Sequence, residues 1–186
     1  MELVEAIKSR RSVRRFTDKS VDDAIVQELI ELAAWAPSAS NQQPWGFLVL
    51  KDKDELKSLS EQAKKDWLAD MDRYPHMHKY RKIMEDENYN IFHNAGTVIV
   101  IYGNTDTAWY IYDCSLAAQN LMLAAHDRGL GTCWIGFAHR ILDTPEFKEK
   151  YNIPKKYSVV APLILGYPEK EPGDGPPRKE LLIFSS

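Results

Sequence analysis

The sequence has few cysteines, no long apolar run and no large excess of either charge. Its 2 cysteines, Cys114 and Cys133, form neither a CxxC pair nor a disulfide framework, so we expect both to be small buried residues. The cleanest apolar run, TVIVIY at 97–102, is far too short to cross a bilayer. With 24 basic and 27 acidic residues, the chain lacks the positive field that a general nucleic-acid binder requires. We therefore expect a cytoplasmic protein that binds neither membrane nor nucleic acid.

Chain length and hydrophobic content predict one domain over residues 1–186, because 186 residues of which 44% are hydrophobic can bury a substantial core. Apolar residues at helical spacing predict helices at 2–9, about 20–36, 53–65, about 107–128 and 144–150. Apolar runs predict strands at 45–51, 97–102, 132–136 and 157–167. This order predicts an α+β fold, with a sheet of about four or five strands packed against helices.

Three local details follow from the same patterns. Ser20 with Asp23 resembles a capping box that would open the second helix. The strand at 45–51 is mostly apolar, which predicts burial on both faces. The long helix is expected to bury one stripe, formed by Leu116, Ala117, Leu121 and Ala124.

The segment RRSVRRF, residues 10–16, holds four arginines in seven positions, and we call it the basic segment. If the chain is extended there, Arg10, Ser12 and Arg14 point to one side and Arg11 to the other. Two guanidinium groups beside a hydroxyl can hold a phosphate or another delocalised anion through charge-assisted hydrogen bonds. The alternative is a solvated basic patch paired with acidic neighbours, and the segment alone favours neither.

Three more segments carry polar or glycine-rich chemistry. Hydroxyls and amides in APSASNQQPWGF, residues 36–47, could satisfy the rim of a flat heterocycle, although an ordinary polar turn is the alternative. The glycines of GLGTCWIGF, residues 129–137, allow close approach of a ligand to the backbone, but the strand–GxGxxG–helix order of a dinucleotide fold is missing. PPRK at 176–179 adds two cations, Arg178 and Lys179.

These four segments, in this order and at these separations, resemble the FMN-dependent nitroreductase family in its short form. FHNAGTVIVIYG at 92–103 and DCSLAAQNLMLAA at 113–125 are similar to the core of that family, so the resemblance covers nearly the whole chain. It implies an α+β homodimer with a central, mostly antiparallel sheet. It also implies two FMN sites at the subunit interface, each built from both chains.

The resemblance implies which residues bind the cofactor. At the phosphate end it implies five: Arg10, Arg11, Ser12, Arg178 and Lys179. Arg11 could instead face the protein, since it alternates with its neighbours. Arg14 is implied at the pyrimidine edge of the flavin, where a fixed cation would stabilise the negative charge that reduction creates.

The remaining implied residues lie in the polar and glycine-rich segments. A loop that would meet the flavin from the partner subunit contains Pro37, Ser38, Ala39, Ser40, Asn41 and Gln43. Trp134, Ile135 and Gly136 would lie beside the reactive N5 atom, with an N–H at 135 or 136 donating to it. The family uses no obligatory side-chain acid or base, so we assign no catalytic residue, and the spacing of His76 and His78 predicts no metal site.

The implied reaction is a ping-pong transfer. NADH or NADPH gives a hydride to N5 and departs, and a small organic acceptor such as a nitroaromatic or a quinone then takes two electrons. Residues 66–90, which we call the lid, would lie over the flavin, and Tyr74, His76, Met77 and Tyr80 could line the acceptor pocket. Residues 168–186, rich in proline and glycine, form an extended arm that would contact the partner.

Two alternatives stay open. One keeps the fold and the flavin but changes the chemistry, to flavin fragmentation with oxygen or to reductive dehalogenation. The other is a non-enzymatic protein that uses the basic segment to hold RNA or a phosphorylated partner. That second alternative leaves residues 36–47 and 129–137 without a role.

Overall fold

A computed structural model describes residues 1–184, so the last two residues of the expected arm lie outside the described part. Within it the α-helices are α1 (Leu3–Ser9), α2 (Asp23–Ala33), α3 (Lys53–Asp70), α4 (Arg81–Met84), α5 (Tyr110–Asp127), α6 (His139–Leu142) and α7 (Pro145–Lys150). The strands are β1 (Trp45–Leu50), β2 (Thr97–Asn104), β3 (Gly131–Trp134) and β4 (Tyr157–Gly166). None of the helices in residues 1–184 combines the length and the apolarity that a membrane crossing requires.

The strands form one antiparallel sheet in the order β1-β2-β4-β3. Strand β2 lies inside the sheet, and its alternate residues enter two different cores. Ile99 and Ile101 pack with α2 and α5, whereas Val100 and Tyr102 pack on the opposite face with α3, α6 and α7. Helices therefore cover both faces of the sheet. The predicted α+β class and strand number are confirmed.

Three local expectations are wrong. Asp22, not Ser20, caps α2, and its Oδ1 accepts a hydrogen bond from the Ala24 N–H at 2.8 Å. Strand β1 is mostly half-buried because it lies at an edge of the sheet. Leu116 is 46% exposed, since α5 is rotated so that Asp113 lies on its buried stripe.

The two cysteines are both free and buried, as expected. Cys114 lies in the core between α5 and the sheet, where burial raises the pKa of its thiol to about 12. Cys133 lies on β3, in the core on the other face. At neutral pH the Cys114 thiol therefore stays protonated and acts as a small apolar side chain.

The basic segment runs along the edge of the sheet beside β3. Ser12 pairs with Thr132 in a parallel bridge, and the Val13 N–H donates to the Thr132 carbonyl at 2.9 Å. The Thr17 N–H then donates to the Tyr167 carbonyl at 2.8 Å, just beyond the end of β4. Val13 is buried while the residues on either side of it are partly or fully exposed. This extended course directs the arginines outwards from a fixed backbone.

Two glycines allow this close approach. A Cβ atom at Gly131 would lie 2.7 Å from the Val13 side chain, and one at Gly166 would lie 2.8 Å from Phe16. Both distances are shorter than van der Waals contact permits. A larger residue at either glycine would therefore push the basic segment away from the sheet.

Replacing Gly131 by alanine should lower the free energy of unfolding by about 1–3 kcal/mol, because the added methyl group overlaps the Val13 side chain. Urea denaturation of the purified variant measures this loss. Gly96→Ala is the matched control, since a Cβ atom there meets nothing within 4 Å. Equal stability of the two variants would contradict the close packing of Val13 on β3.

Candidate functional site

A cationic cavity of about 480 Å³ lies between the basic segment and the arm. One wall consists of four arginines and a serine: Arg10, Arg11, Arg14, Arg178 and Ser12. Residues 172–176 of the arm form the opposite wall, with Asp174 as its carboxylate. The structure thus brings together four arginines that are separated by up to 168 positions in the chain.

The positive charges in this cavity are poorly compensated. None of the ion pairs found within residues 1–184 includes Arg10, Arg11, Arg14 or Arg178. Burial, and then the charge of Arg11, lowers the pKa of Arg10. The Nε atom of Arg11 is buried without a hydrogen-bond partner in the described chain. An anion bound in the cavity would offset the repulsion between these guanidinium groups.

Arg11 faces both the protein and the cavity. Its Nη1 donates to the carbonyl oxygen of Lys8 at 2.6 Å and to that of Arg10 at 2.9 Å. A Cβ atom at Gly175 would lie 2.3 Å from its Nε, so the arm passes directly over this guanidinium. Strand alternation alone would place Arg11 on the side opposite to Arg10. It does not describe Arg11 well, because the chain leaves α1 at Arg10 and is not yet a regular strand at Arg11.

A second cavity, of about 550 Å³, adjoins the first and is mainly apolar. Its outer wall comes from the lid and includes Trp67, Met77, Tyr80 and Ile83. Its inner wall includes the segment from Trp134 to Phe137. Arg14 lines this cavity as well as the cationic one, so a single arginine stands at their junction.

The two backbone N–H groups considered from the sequence, those of Ile135 and Gly136, differ in their hydrogen bonding. The Ile135 N–H donates to the Pro162 carbonyl at 2.8 Å and is therefore occupied. For the Gly136 N–H we find no backbone acceptor within residues 1–184. Of the two donors considered from the sequence, Gly136 is the one that a ligand could use.

The polar loop at residues 37–43 lines neither cavity of its own chain. Ser40, Asn41 and Gln43 have φ values of 51°, 53° and 47°, a left-handed conformation that is costly for residues other than glycine. The Gln43 N–H donates to the Ser38 Oγ at 3.0 Å, which closes the loop on itself. The loop is thus held in one shape while most of its side chains are exposed.

A buried carboxylate fixes this loop to the rest of the protein. Asp113, in the first turn of α5, is 4% exposed, and its Oδ1 accepts a hydrogen bond from the Ala39 N–H at 3.1 Å. Its Oδ2 is buried and has no partner in the described chain. The sequence singled out the loop but not Asp113, because the anchor lies 74 positions away.

Comparison with known proteins agrees with this geometry. A model of the nitroreductase family matches residues 7–167. This chain belongs to the nitroreductase family. The match covers the basic segment, the polar loop, the lid and all four strands. The resemblance seen in the sequence is confirmed.

Individual relatives of this nitroreductase-family chain align over most of their length. A protein of Archaeoglobus fulgidus, named as a candidate NADH dehydrogenase/NAD(P)H nitroreductase, is 30% identical over 91% of this chain and 87% of its own. One of the same name from Methanothermobacter thermautotrophicus is 29% identical over 93% and 81%. The crystal structure of a nitroreductase with bound FMN from Bacteroides fragilis is 27% identical, covers 99% and 95% of the two chains, and has a TM-score of 0.77.

Eight of the fifteen cofactor-binding residues expected from the sequence line the two cavities. The six expected residues of the polar loop and Lys179 line neither, although Arg178, the neighbour of Lys179, lines the cationic cavity. Among the lid residues considered from the sequence, Met77 and Tyr80 line the apolar cavity, whereas Tyr74 and His76 do not.

Three further residues that the sequence did not single out individually, Trp67, His93 and Phe137, also line the apolar cavity. Burial, and then the charge of Arg14, lowers the pKa of His93, which favours its neutral form. Each lies in a segment that the sequence singled out, but the sequence does not show that these segments meet at one cavity.

Replacing Asp113 by alanine should lower the free energy of unfolding by about 1–3 kcal/mol, since the half-buried Ala39 N–H loses its acceptor. Urea denaturation gives this value. Asp127→Ala on the same helix is the control, because that carboxylate is exposed and pairs only with the amino terminus. A change no larger for Asp113→Ala than for Asp127→Ala would contradict the anchoring role.

Proposed function

We propose that this chain is an FMN-dependent oxidoreductase that transfers two electrons from NADH or NADPH to a small organic acceptor. The observation that carries the proposal is the junction of two cavities at Arg14, one cationic and one apolar. FMN has the same division, with an anionic phosphate at one end and a flat ring system at the other. The bound FMN named in the related Bacteroides fragilis structure supports this cofactor.

The cationic cavity fits the phosphate end of FMN. Arg10, Arg11, Ser12 and Arg178, which line this cavity, would hold the phosphate. Lys179 adds a more distant positive charge on the arm. A phosphate brings close to two negative charges, which would offset both the burial of Arg10 and the charge of Arg11, the causes that lower the pKa of Arg10.

The junction fits the flavin ring. Arg14 would lie at the pyrimidine edge, where its cation stabilises the negative charge that reduction places there. Trp134 and Ile135 would flank the ring, and the Gly136 N–H would donate a hydrogen bond to N5. The bound cofactor supplies the two-electron relay, and the residues of this chain orient it and set its affinity for electrons.

We propose that the second half of each site comes from a partner copy, in a homodimer. Pro37, Ser38, Ala39, Ser40, Asn41 and Gln43 would contact the flavin of the partner. This assignment is supported by exposed apolar side chains beside the loop: Trp35, Trp109, Tyr112 and Leu116 are 83%, 58%, 63% and 46% exposed. Such a patch on one chain is typical of a protein interface.

For a nitroarene the overall reaction is balanced by two electrons and two protons. NAD(P)H and one proton convert the nitro group to a nitroso group and water, and leave NAD(P)⁺. No carboxylate is found among the described residues that line the apolar cavity. The role of the chain is to bind, to orient and to exclude solvent. We propose a single domain over residues 1–186, and we expect a cytoplasmic location since both cysteines are free.

The visible absorption spectrum tests this function. Protein as purified, or after soaking with FMN, should show flavin bands that bleach when NADH or NADPH is added without oxygen. Light scattering on the same sample should give the mass of a dimer that carries two FMN molecules. Absence of flavin after soaking, or flavin that neither nicotinamide reduces, would overturn the proposal, and a flavin-bound monomer would overturn the shared site.

Replacing Arg14 by alanine should weaken FMN binding by about tenfold and lower the reduction potential of the bound flavin, because a charge-assisted contact with the pyrimidine edge is lost. Fluorescence titration measures the Kd, and spectroelectrochemistry measures the potential. Arg15→Ala is the control, since the neighbouring Arg15 lines neither the cationic nor the apolar cavity. An unchanged reduction potential in Arg14→Ala would show that Arg14 does not contact the pyrimidine edge of the flavin.

A further inference from the structure

A buried lysine of α3 holds the turn at residues 86–90, the last part of the lid. Lys64 is only 4% exposed. Its Nζ donates to the carbonyl oxygens of Asp86 and Tyr89 at 3.0 and 2.9 Å. The same Nζ pairs with the Glu61 Oε1 at 2.9 Å. An ammonium group has three N–H donors, so each of them has an acceptor here.

This use of a lysine is costly, because burial removes the ammonium group from water. An apolar side chain of similar volume often fills such a place with equal or greater stability. It could not, however, bind two carbonyl oxygens, one of which belongs to Tyr89. The same helix also fixes the next part of the chain, since the Ile91 N–H donates to the Ser60 Oγ at 3.0 Å. What Lys64 supplies beyond packing is therefore the position of the backbone at Tyr89.

The Tyr89 side chain lies between the apolar cavity and a polar cavity of about 430 Å³. Its ring meets that of His93 edge to face, with centroids 5.7 Å apart. The groups near enough to influence its phenol electrostatically are Arg14 and Cys133, and both line the apolar cavity. Burial, the larger cause, raises the pKa of Tyr89, so the phenol is protonated at neutral pH and can donate a hydrogen bond.

The Tyr89 hydroxyl differs from the paired tyrosine hydroxyls of this protein. The buried Tyr102 hydroxyl donates to the Leu142 carbonyl at 2.7 Å. The Tyr151 hydroxyl donates to the Glu55 carboxylate. For the Tyr89 hydroxyl we find no such partner within the described chain. A phenol that lines a cavity, while its backbone is fixed from behind, is placed to donate to a ligand.

We propose that Tyr89 donates a hydrogen bond to the pyrimidine edge of the flavin, beside Arg14, and that Lys64 is the positioning residue that holds Tyr89 there. The inference rests on the proposed function, since it assigns two further residues to that cofactor site. Reduction places negative charge at this edge of the ring, so a donor there binds the reduced cofactor more tightly than the oxidised one. Arg14 supplies a charge, and Tyr89 supplies a neutral donor with a fixed direction.

Tyr89→Phe tests the donor, because it removes the hydroxyl and keeps the ring. We expect this variant to bind oxidised FMN nearly unchanged and reduced FMN about tenfold more weakly. For a two-electron couple, that tenfold change lowers the reduction potential by about 30 mV. Fluorescence titration measures the Kd of oxidised FMN, and spectroelectrochemistry measures the potential. An unchanged potential would overturn the inference.

Two other tyrosines of the lid give the comparison. Tyr74→Phe is the matched control, since Tyr74 does not line the apolar cavity, and its potential should not change. Tyr80→Phe removes the other hydroxyl of that cavity for which we find no partner in the described chain. A potential that falls in Tyr80→Phe but not in Tyr89→Phe, or that falls equally in Tyr74→Phe, would overturn the assignment of Tyr89.

Lys64→Met tests the positioning, because methionine has a similar length but cannot donate to the two carbonyl oxygens. The potential should fall as in Tyr89→Phe, although Lys64 lines neither the apolar nor the cationic cavity. In the double variant the fall should be no larger than in Tyr89→Phe alone, because Lys64 acts through Tyr89. Lys65→Met is the control, since the neighbouring Lys65 is exposed. A lower midpoint of urea unfolding with an unchanged potential would overturn the positioning role.

The two proposals fail in different ways. FMN that binds and is reduced by NADH or NADPH, but whose potential is the same in Tyr89→Phe, would overturn only the role of Tyr89. FMN whose potential falls in Tyr89→Phe, but which neither nicotinamide reduces, would overturn only the electron donor. A chain that does not retain FMN would overturn both.

Discussion

Repulsion between like charges is the constraint on which the site depends. Arg10, Arg11 and Arg178 share one cavity and lack ionic partners in residues 1–184, so bringing them together costs free energy. The opposing force is backbone pairing of residues 12–17 with β3 and the end of β4, made possible by the small glycines of those strands. The protein therefore holds a concentration of positive charge that a bound phosphate would stabilise.

Arg14 belongs both to the cluster of positive charge and to the proposed site of electron transfer. It lines both the cationic cavity and the apolar one. A cofactor with its charged group in the first cavity and its flat ring in the second would therefore contact the Arg14 guanidinium between the two. Burial, and then the charge of Arg14, lowers the pKa of His93, which favours the neutral form of this imidazole. The Arg14 cation would in turn favour a reducible ring at the junction.

The two halves of the proposed site are held by different means. The basic segment is held by pairing with the sheet, whereas the polar loop is held by the buried carboxylate of Asp113 and by its own left-handed turns. The loop points away from its own cavities and lies next to exposed aromatic residues of α5. This separation is what a site shared between two copies would require, with each copy contributing a rigid half.

Local pattern and family resemblance determined the helices, the strands, the fold class and the segments that carry polar chemistry. Periodicity predicts which elements form, because helices and strands repeat their apolar residues at different spacings. It could not predict that Leu116 is exposed while Asp113 is buried, since rotation of α5 depends on its packing against the sheet. Only the tertiary structure brought Trp67, Phe137 and His93 into one cavity and connected Asp113 to Ala39. These relations join residues far apart in the chain, and packing of the whole sheet decides them.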